Sequence, residues 1–175
     1  NMAAIQKIAH KHKLLILEDA AEAHGAQLGN QKVGGIGKVG CFSFYANKLI
    51  TTGEGGAVVT NSDKIAAKVR SLKSLSRHKS SRFIHEDIGF SLNMSNLQAA
   101  VGVAQLESIE NYIAQKSAMA DYYNQHLANI PGLILPADFT EGRQIYWMYA
   151  VRIETKKFGC SRDEFARLLW EDYQI

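Results

Sequence analysis

Residues 40–61, GCFSFYANKLITTGEGGAVVTN, combine two β-prone runs, a lysine and a glycine-rich loop. The runs CFSFYA and AVVT are rich in aromatic and β-branched residues, which favour strands packed in a sheet. Lys48 follows the first run, and the loop TTGEGG leads from it to the second. The segment therefore predicts two strands of one sheet, with Lys48 in the connection between them.

A further strand is predicted upstream. Residues 14–17, LLIL, form a short apolar run that ends in Glu18 and Asp19, a pattern typical of a parallel strand buried on both faces. Ligands of open α/β sheets bind outside the carboxyl ends of the strands. Asp19 and Lys48 can therefore converge on one site, with Ser43 on one face of the aromatic run. Taken singly, Asp19 is more typical of a cap or turn, and Lys48 of a solvated side chain.

Segments with helical periodicity precede and follow these strands, and this order of helices and strands along the chain predicts an α/β fold. Pro131 and Gly132 interrupt the helical pattern and predict a domain boundary. Strand patterns follow in residues 132–139 and 145–155. Apolar residues spaced for one helix face predict four helices. The first two are a surface helix with Ile5 and Ile8 and a helix capped by Asn61 or Ser62, with Ile65, Val69 and Leu72 on its apolar face. The others are a long helix from Ser95 to about Leu127, with Val103, Leu106, Ile109 and Ile113 on its apolar face, and a last helix over residues 161–173.

Composition excludes several classes of protein. The chain has 175 residues and a formal net charge of +3, with both signs of charge interspersed, so no nucleic-acid surface is predicted. Cys41 and Cys160 lie far apart, which favours reduced thiols in a cytoplasmic protein. No apolar stretch approaches the roughly 20 residues of a membrane span, and no signal-peptide core is present. Because a helix is under way at the first residues and Ile175 follows no stop signal, we expect an internal fragment of a longer protein.

Two motifs are interpreted as structural. Gly35, Gly37 and Gly40 match the GxGxxG dinucleotide fingerprint, but that fingerprint requires a strand before it and a helix opening from it. Polar residues precede this one and an aromatic β-run follows, so a loop is predicted and a nicotinamide oxidoreductase stays a minor alternative. His10 and His12 lie in a polar helix end without a second ligand cluster, so no metal site is predicted.

Four stretches follow one another in the order found in a single enzyme family: ILEDAAEAHGA (residues 16–26), the segment 40–61, IGFSLNMSNLQAAVG (88–102) and IYWMYAV (145–151). They resemble motifs of the DegT/DnrJ/EryC1/StrS family of sugar aminotransferases, which depend on pyridoxal 5'-phosphate. The sequence FSFYANKxITTGEGG is most similar to the corresponding sequence of perosamine-synthase-like members.

The resemblance implies a PLP-dependent transferase type I fold, which is aspartate aminotransferase-like. Residues 1–130 would be the C-terminal part of the large cofactor-binding domain, a mainly parallel sheet flanked by helices. Residues 131–175 would begin the small C-terminal α+β domain.

The resemblance also implies roles for five residues. Lys48 matches the lysine that binds the cofactor covalently, and Asp19 the carboxylate beside the pyridine nitrogen. Glu22 matches a residue near the ring's phenolic oxygen, and Ser43 a hydroxyl that donates to the phosphate. Asn93 corresponds to a residue that reaches the phosphate from the other subunit of a homodimer.

The implied activity is transfer of an amino group, with glutamate as donor, to a nucleotide-linked keto-sugar, most simply a 4-keto-6-deoxyhexose. The alternatives are a catalytically silent cofactor-binding or regulatory relative, or a sugar dehydratase. Dehydratases of this fold carry histidine in place of the lysine, so Lys48 argues against that class.

Three further expectations concern individual side chains. The loop 76–87, with Arg77, His78, Lys79 and Arg82, is predicted to serve the neighbouring subunit's site or, equally, to be a solvated loop. His24 is predicted to pack or to hydrogen bond within its loop rather than to enter the site. Trp147 and Tyr149 are predicted to pack the small domain.

Overall fold

The computed structural model describes residues 1–78, 80–81 and 83–175, and it is a mixed α/β structure. Its elements, in chain order, are α1 (Met2–Lys11), β1 (Leu17–Asp19), β2 (Gln27–Leu28), β3 (Gln31–Lys32), β4 (Val39–Ser43), β5 (Gly56–Val59), α2 (Asp63–Lys73), α3 (Asn96–Glu107), α4 (Ile109–Leu127), β6 (Leu133–Ile134), β7 (Gly142–Arg143), β8 (Arg152–Ile153), α5 (Thr155–Phe158) and α6 (Arg162–Tyr173).

The central sheet has the strand order β1-β4-β5. Strands β1 and β4 are parallel, with Leu17 opposite Val39 and Asp19 opposite Cys41. Strands β4 and β5 are antiparallel, as are the other described pairs. The expectation of a mainly parallel sheet is therefore wrong for the described strands. The reason is that the connection from β4 to β5 contains no helix to return the chain to the opposite end of the sheet.

The strand predicted at residues 14–17 begins later and is less buried than expected. It covers Leu17–Asp19, and the side chains of Leu14, Leu15 and Leu17 are all more than half exposed. Its position explains the difference, because β1 is an edge strand of the described sheet and only β4 pairs with it. The same holds for β5 at the opposite edge, where Val58 and Val59 are exposed.

The predicted helix starts are confirmed, but the long helix is divided. Ser62 is the N-cap of α2, and Ser95 caps α3 through a capping box with Gln98. The helix expected from Ser95 to about Leu127 is interrupted at Ser108, whose φ of −101° and ψ of 4° leave the helical region. Serine favours caps and turns over helix interiors. Of the apolar residues predicted on one helix face, Ile113 of α4 is buried, whereas Val103 and Leu106 of α3 are exposed.

Residues after Pro131 fold back onto the first part of the chain. Strand β7 pairs with β2, and β6 pairs with β8. The extended run predicted at residues 145–155 is a strand only at Arg152–Ile153, because Tyr146 has a φ of 47° that ends extended backbone. Helix α6 is capped by Ser161 as expected. The boundary at Pro131 and Gly132 stays a prediction.

Within the described part of the chain, no helix has both the length and the apolar character needed to cross a membrane.

Candidate active site

Lys48 lies in a loop that is closed at its base. The backbone amide of Thr52 donates to the carbonyl of Phe44 at 2.9 Å, and the amide of Phe44 donates to the carbonyl of Gly55 at 2.8 Å. Between these bonds the amide of Lys48 donates to the carbonyl of Tyr45 at 3.0 Å, which makes a tight turn. Ile50 is buried beneath the turn. Backbone hydrogen bonds therefore define the conformation of the loop that presents Lys48.

Helix α3 supports this loop from one side. The Gln105 side-chain oxygen accepts from the amide of Thr51 at 2.8 Å, and the Gln98 amide nitrogen donates to the carbonyl of Glu54 at 3.1 Å. Gly102 allows the close approach, since a Cβ there would lie 2.9 Å from the Thr52 methyl group. The capped helix thus holds the TTGEGG loop in place.

The Lys48 side chain is only 11% exposed and has two partners. Its Nζ donates to Oε1 of Glu22 at 3.2 Å and lies 4.2 Å from the centroid of the Trp147 ring. Glu22, predicted in the site, is therefore in direct contact with Lys48. Trp147 was not predicted there.

The prediction that Trp147 packs the small domain is wrong. Its indole Nε1 donates to the carbonyl of Asn47 at 2.8 Å, the residue just before Lys48. The sequence contains no local signal for this contact, because about 100 residues separate the two positions. Tyr149 also contacts a residue before Pro131, because its hydroxyl donates to Asn124 of α4 at 2.6 Å.

Asp19 and Ser43 are the last residues of the neighbouring parallel strands β1 and β4. Both therefore lie where the carboxyl ends of these strands meet, which is the sheet edge that concerns the site. Asp19 is opposite Cys41 in the register of β1 and β4, and Ser43 is the last residue of β4. The Asp19 carboxylate accepts from the amide of Ala21 at 3.1 Å, and the Ser43 hydroxyl accepts from the amide of Tyr45 at 3.2 Å. Both side chains are thus oriented by the backbone that follows them, at the edge where ligands of α/β sheets bind.

His24 is buried beside this edge. It is 3% exposed, and its ring lies 5.3 Å from that of Phe42 and 5.7 Å from that of Phe44, centroid to centroid. Burial lowers the pKa of His24 from its ordinary value of 6.5; the nearby Ser43 backbone opposes this shift, and the charge of Lys48 adds to it. Neither ring nitrogen makes a hydrogen bond of normal geometry with a described residue. The imidazole is therefore packed, as expected, and it is not hydrogen bonded within its loop.

The glycine-rich loop before β4 is organised around Glu18, which sequence reasoning did not single out. Glu18 is buried, and its carboxylate accepts from the amides of Gly34, at 2.8 Å, and Gly37. A Cβ on Gly40 would lie 2.0 Å from the Gly34 carbonyl oxygen. These glycines are therefore required by close packing, and two of their amides bind a carboxylate of the protein itself.

The GxGxxG match leads into a strand, as predicted. Strand β4 begins at Val39, inside the motif, and no helix opens from it. The geometry that the dinucleotide fingerprint requires is absent from this described segment.

Asn93 lies apart from Lys48. Its Oδ1 accepts from the Ser74 hydroxyl at 3.1 Å, and it lines a groove of about 1250 Å³ between α2, β5 and α3 whose lining does not include Lys48. Of the basic residues in the loop 76–87, Arg77 and His78 are exposed, and Lys79 and Arg82 lie outside the described residues. The structure of this chain thus brings Glu22 to Lys48 but not Asn93.

Comparison with known proteins shows that the chain is similar to several sugar aminotransferases. The chain is 41% identical over 154 residues to a GDP-perosamine synthase of Caulobacter vibrioides, which covers 87% of the chain and 42% of that protein. It is 36% identical to a dTDP-3-amino-3,4,6-trideoxy-alpha-D-glucose transaminase of Streptomyces venezuelae, over 89% of the chain and 41% of that protein. Among solved structures, the Helicobacter pylori aminotransferase PseC matches with a TM-score of 0.85 and 29% identity, over 97% of the chain and 45% of that structure.

The chain spans less than half the length of these relatives. The model of the DegT/DnrJ/EryC1/StrS aminotransferase family matches residues 1–175. With that match over its whole length, and with the fold of the sugar aminotransferases around Lys48, the chain belongs to the DegT/DnrJ/EryC1/StrS aminotransferase family.

Proposed function

We propose that the full-length protein is a pyridoxal-phosphate-dependent aminotransferase that acts on a nucleotide-linked keto-sugar. The observation that carries the proposal is the placement of Lys48. Its side chain is largely buried and paired with Glu22, next to the sheet edge where Asp19 and Ser43 end β1 and β4. Partial removal from water is a feature of lysine nucleophiles, and the contact with Glu22 fixes the position of the Lys48 amine.

The donor set at this edge fits the cofactor. Lys48 offers an amine to the aldehyde carbon, and the exposed Asp19 carboxylate at the end of β1 offers a counter-charge for a protonated ring nitrogen. The Ser43 hydroxyl at the end of β4 offers a donor for the phosphate. When bound, pyridoxal phosphate supplies an electron sink for the negative charge that develops on the substrate carbon.

In amino transfer, three residues of the chain would then have separate roles. Asp19 would keep the ring nitrogen protonated, because an ionised carboxylate stabilises a positive charge there. Lys48 would hold the cofactor covalently and, with its amine free, would move the proton at the substrate carbon. Glu22, whose Oε1 is 3.2 Å from Nζ, would orient the Lys48 side chain at the sheet edge.

The substrate class rests on the relatives. GDP-perosamine and the dTDP-linked 3-amino sugar are both nucleotide-linked amino sugars, so the acceptor proposed here is a nucleotide-linked keto-sugar, with a 4-keto-6-deoxyhexose as the first choice. Glutamate is the proposed amino donor. The presence of lysine at position 48 favours amino transfer over dehydration.

The test is turnover by the full-length protein of a panel of nucleotide-linked 4-keto and 3-keto sugars, with glutamate as donor. We expect amino-sugar product from at least one 4-keto substrate. Lys48→Arg is the matched control, because it keeps a positive charge but cannot form the covalent attachment, and it should be inactive. Absence of product across the panel, with cofactor bound, would contradict the proposed function.

We further propose that the protein is a homodimer in which Asn93 contributes to the partner's site. The separation of Asn93 from Lys48 within one chain supports this arrangement. Inactive Lys48→Ala protein mixed with an Asn93→Ala variant under subunit exchange should recover activity, because one site of each heterodimer then has both residues intact. Without recovery after confirmed exchange, Asn93 would not act in trans.

A further inference from the structure

Trp147 is attached to the same short loop whose lysine it covers. Its indole Nε1 donates to the carbonyl of Asn47 at 2.8 Å, while its ring lies 4.2 Å from Nζ of Lys48. The two contacts involve consecutive residues of one turn. A movement of that turn would therefore carry the ring and the lysine together.

The backbone around Trp147 is fixed at several points. Arg143 donates through Nε and Nη2 to the carbonyl of Gly25 at 2.9 and 2.7 Å and is also paired with Glu110 at 2.6 Å. Lys116 of α4 donates to the carbonyl of Trp147 itself at 3.4 Å. After Trp147, the Tyr149 hydroxyl donates to Oδ1 of Asn124 at 2.6 Å. These contacts lie on both sides of Trp147 and hold residues 143–149 against the first part of the chain.

A half-buried ring next to Asn47 alone would be ordinary packing, but the charge of Lys48 makes the contact directional. A lysine side chain has four flexible bonds and loses much rotamer freedom when it is fixed. A single ion pair with Glu22, whose side chain is 56% exposed, is a weak restraint. A cation over the face of an indole is attracted by the ring quadrupole. The ring thus supplies a second attraction for the Lys48 ammonium, in addition to the ion pair with Glu22.

We propose that Trp147 is a positioning residue for Lys48: its ring and the Glu22 carboxylate together hold the amine at the sheet edge and keep it from turning out into water. The proposal rests on the proposed function only for its consequence in catalysis. The contact itself belongs to the chain and can be measured without cofactor or substrate.

The experiment measures the acylation rate of Lys48 by acetic anhydride in the full-length, cofactor-free protein, with peptide mass spectrometry as the readout. Lys64, an exposed lysine of α2, serves as the internal reference. Trp147→Leu removes the ring, Trp147→Phe keeps a ring without the indole N–H, and Tyr149→Phe breaks the Asn124 bond in the same segment without touching Lys48.

We expect Trp147→Leu to raise the rate at Lys48, relative to Lys64, by roughly fivefold, the factor that corresponds to a cation–π contact of about 1 kcal/mol. Trp147→Phe should stay within about twofold of the unmodified protein, and Tyr149→Phe should have no effect. If Trp147→Leu does not fold, Trp147→Met removes the ring with a flexible apolar side chain and is judged in the same way. An unchanged rate in the ringless variant, or an equal increase in Tyr149→Phe, would overturn the proposal.

In the cofactor-loaded protein, Trp147→Leu should lower kcat more than it alters KM, and Trp147→Phe should restore most of kcat. An unchanged kcat in the ringless variant would remove the catalytic consequence. Failure of the proposed function would be distinguishable, because the unmodified protein itself would then show no turnover while the labelling result stood.

Discussion

Replacing Glu18 with glutamine tests how the glycine-rich loop and the end of β1 are held together. The buried carboxylate accepts from the amides of Gly34 and Gly37, and a hydrogen bond to a charged group contributes about 1.5–3 kcal/mol. Glutamine retains one oxygen, but its NH2 group would face the second amide and leave it unpaired in the interior. The amide is cheaper to bury than a carboxylate, which offsets part of the loss. We expect Glu18→Gln to lower the free energy of unfolding by about 2 kcal/mol.

The assay is chemical denaturation of the full-length protein, comparing transition midpoints at a common m value. Glu154→Gln is the matched control, because Glu154 makes an exposed ion pair with Lys157 at 3.0 Å, and such pairs contribute less than about 1 kcal/mol. If Glu18→Gln destabilises the protein no more than Glu154→Gln does, the carboxylate is not what organises the loop.

Three further predictions concern the sheet edge. Asp19→Asn should leave the cofactor bound but reduce amino transfer by at least roughly a hundredfold, since an amide cannot keep the ring nitrogen protonated; near-normal turnover would remove Asp19 from this role. Ser43→Ala should weaken binding of pyridoxal phosphate roughly tenfold, as measured by spectroscopic titration, and unchanged affinity would exclude a phosphate contact. Because the folded pKa of His24 lies below its unfolded value of 6.5, the unfolded chain binds the extra proton as pH falls through that value, so stability is lost toward acid. The fall in the unfolding midpoint between pH 7.5 and pH 5.5 should accordingly be smaller in His24→Leu, and an equal fall in both proteins would contradict the assignment.

Local features of the fold were predictable because they depend on short-range chemistry. Ser95 and Gln98 form the capping box that begins α3, and Ser161 caps α6, as their side chains and spacing indicate. The strand around Cys41 and the loop that follows it were likewise indicated by residue type. Membership of an enzyme family could be inferred because four motifs occur in a fixed order along the chain.

Features that depend on distant parts of the chain were not predictable. The contact of Trp147 with Lys48 joins residues that no local periodicity connects. The burial of residues 14–17 was overestimated, because an apolar run indicates a strand but not whether another element covers it. Glu18 left a weaker signal, an acid inside an apolar strand next to a glycine-rich loop, and this could have indicated a carboxylate that binds backbone amides.

Covalent trapping of the cofactor addresses the identity of the reactive lysine. The full-length protein, loaded with pyridoxal phosphate, is reduced with borohydride, digested and mapped by mass spectrometry. Because Lys48 is the lysine held beside Glu22 near the ends of β1 and β4, the pyridoxyl group should be found on Lys48, and Lys48→Arg should carry none. A pyridoxyl group on another lysine, or no modification of protein that has bound the cofactor, would contradict the assignment of this site.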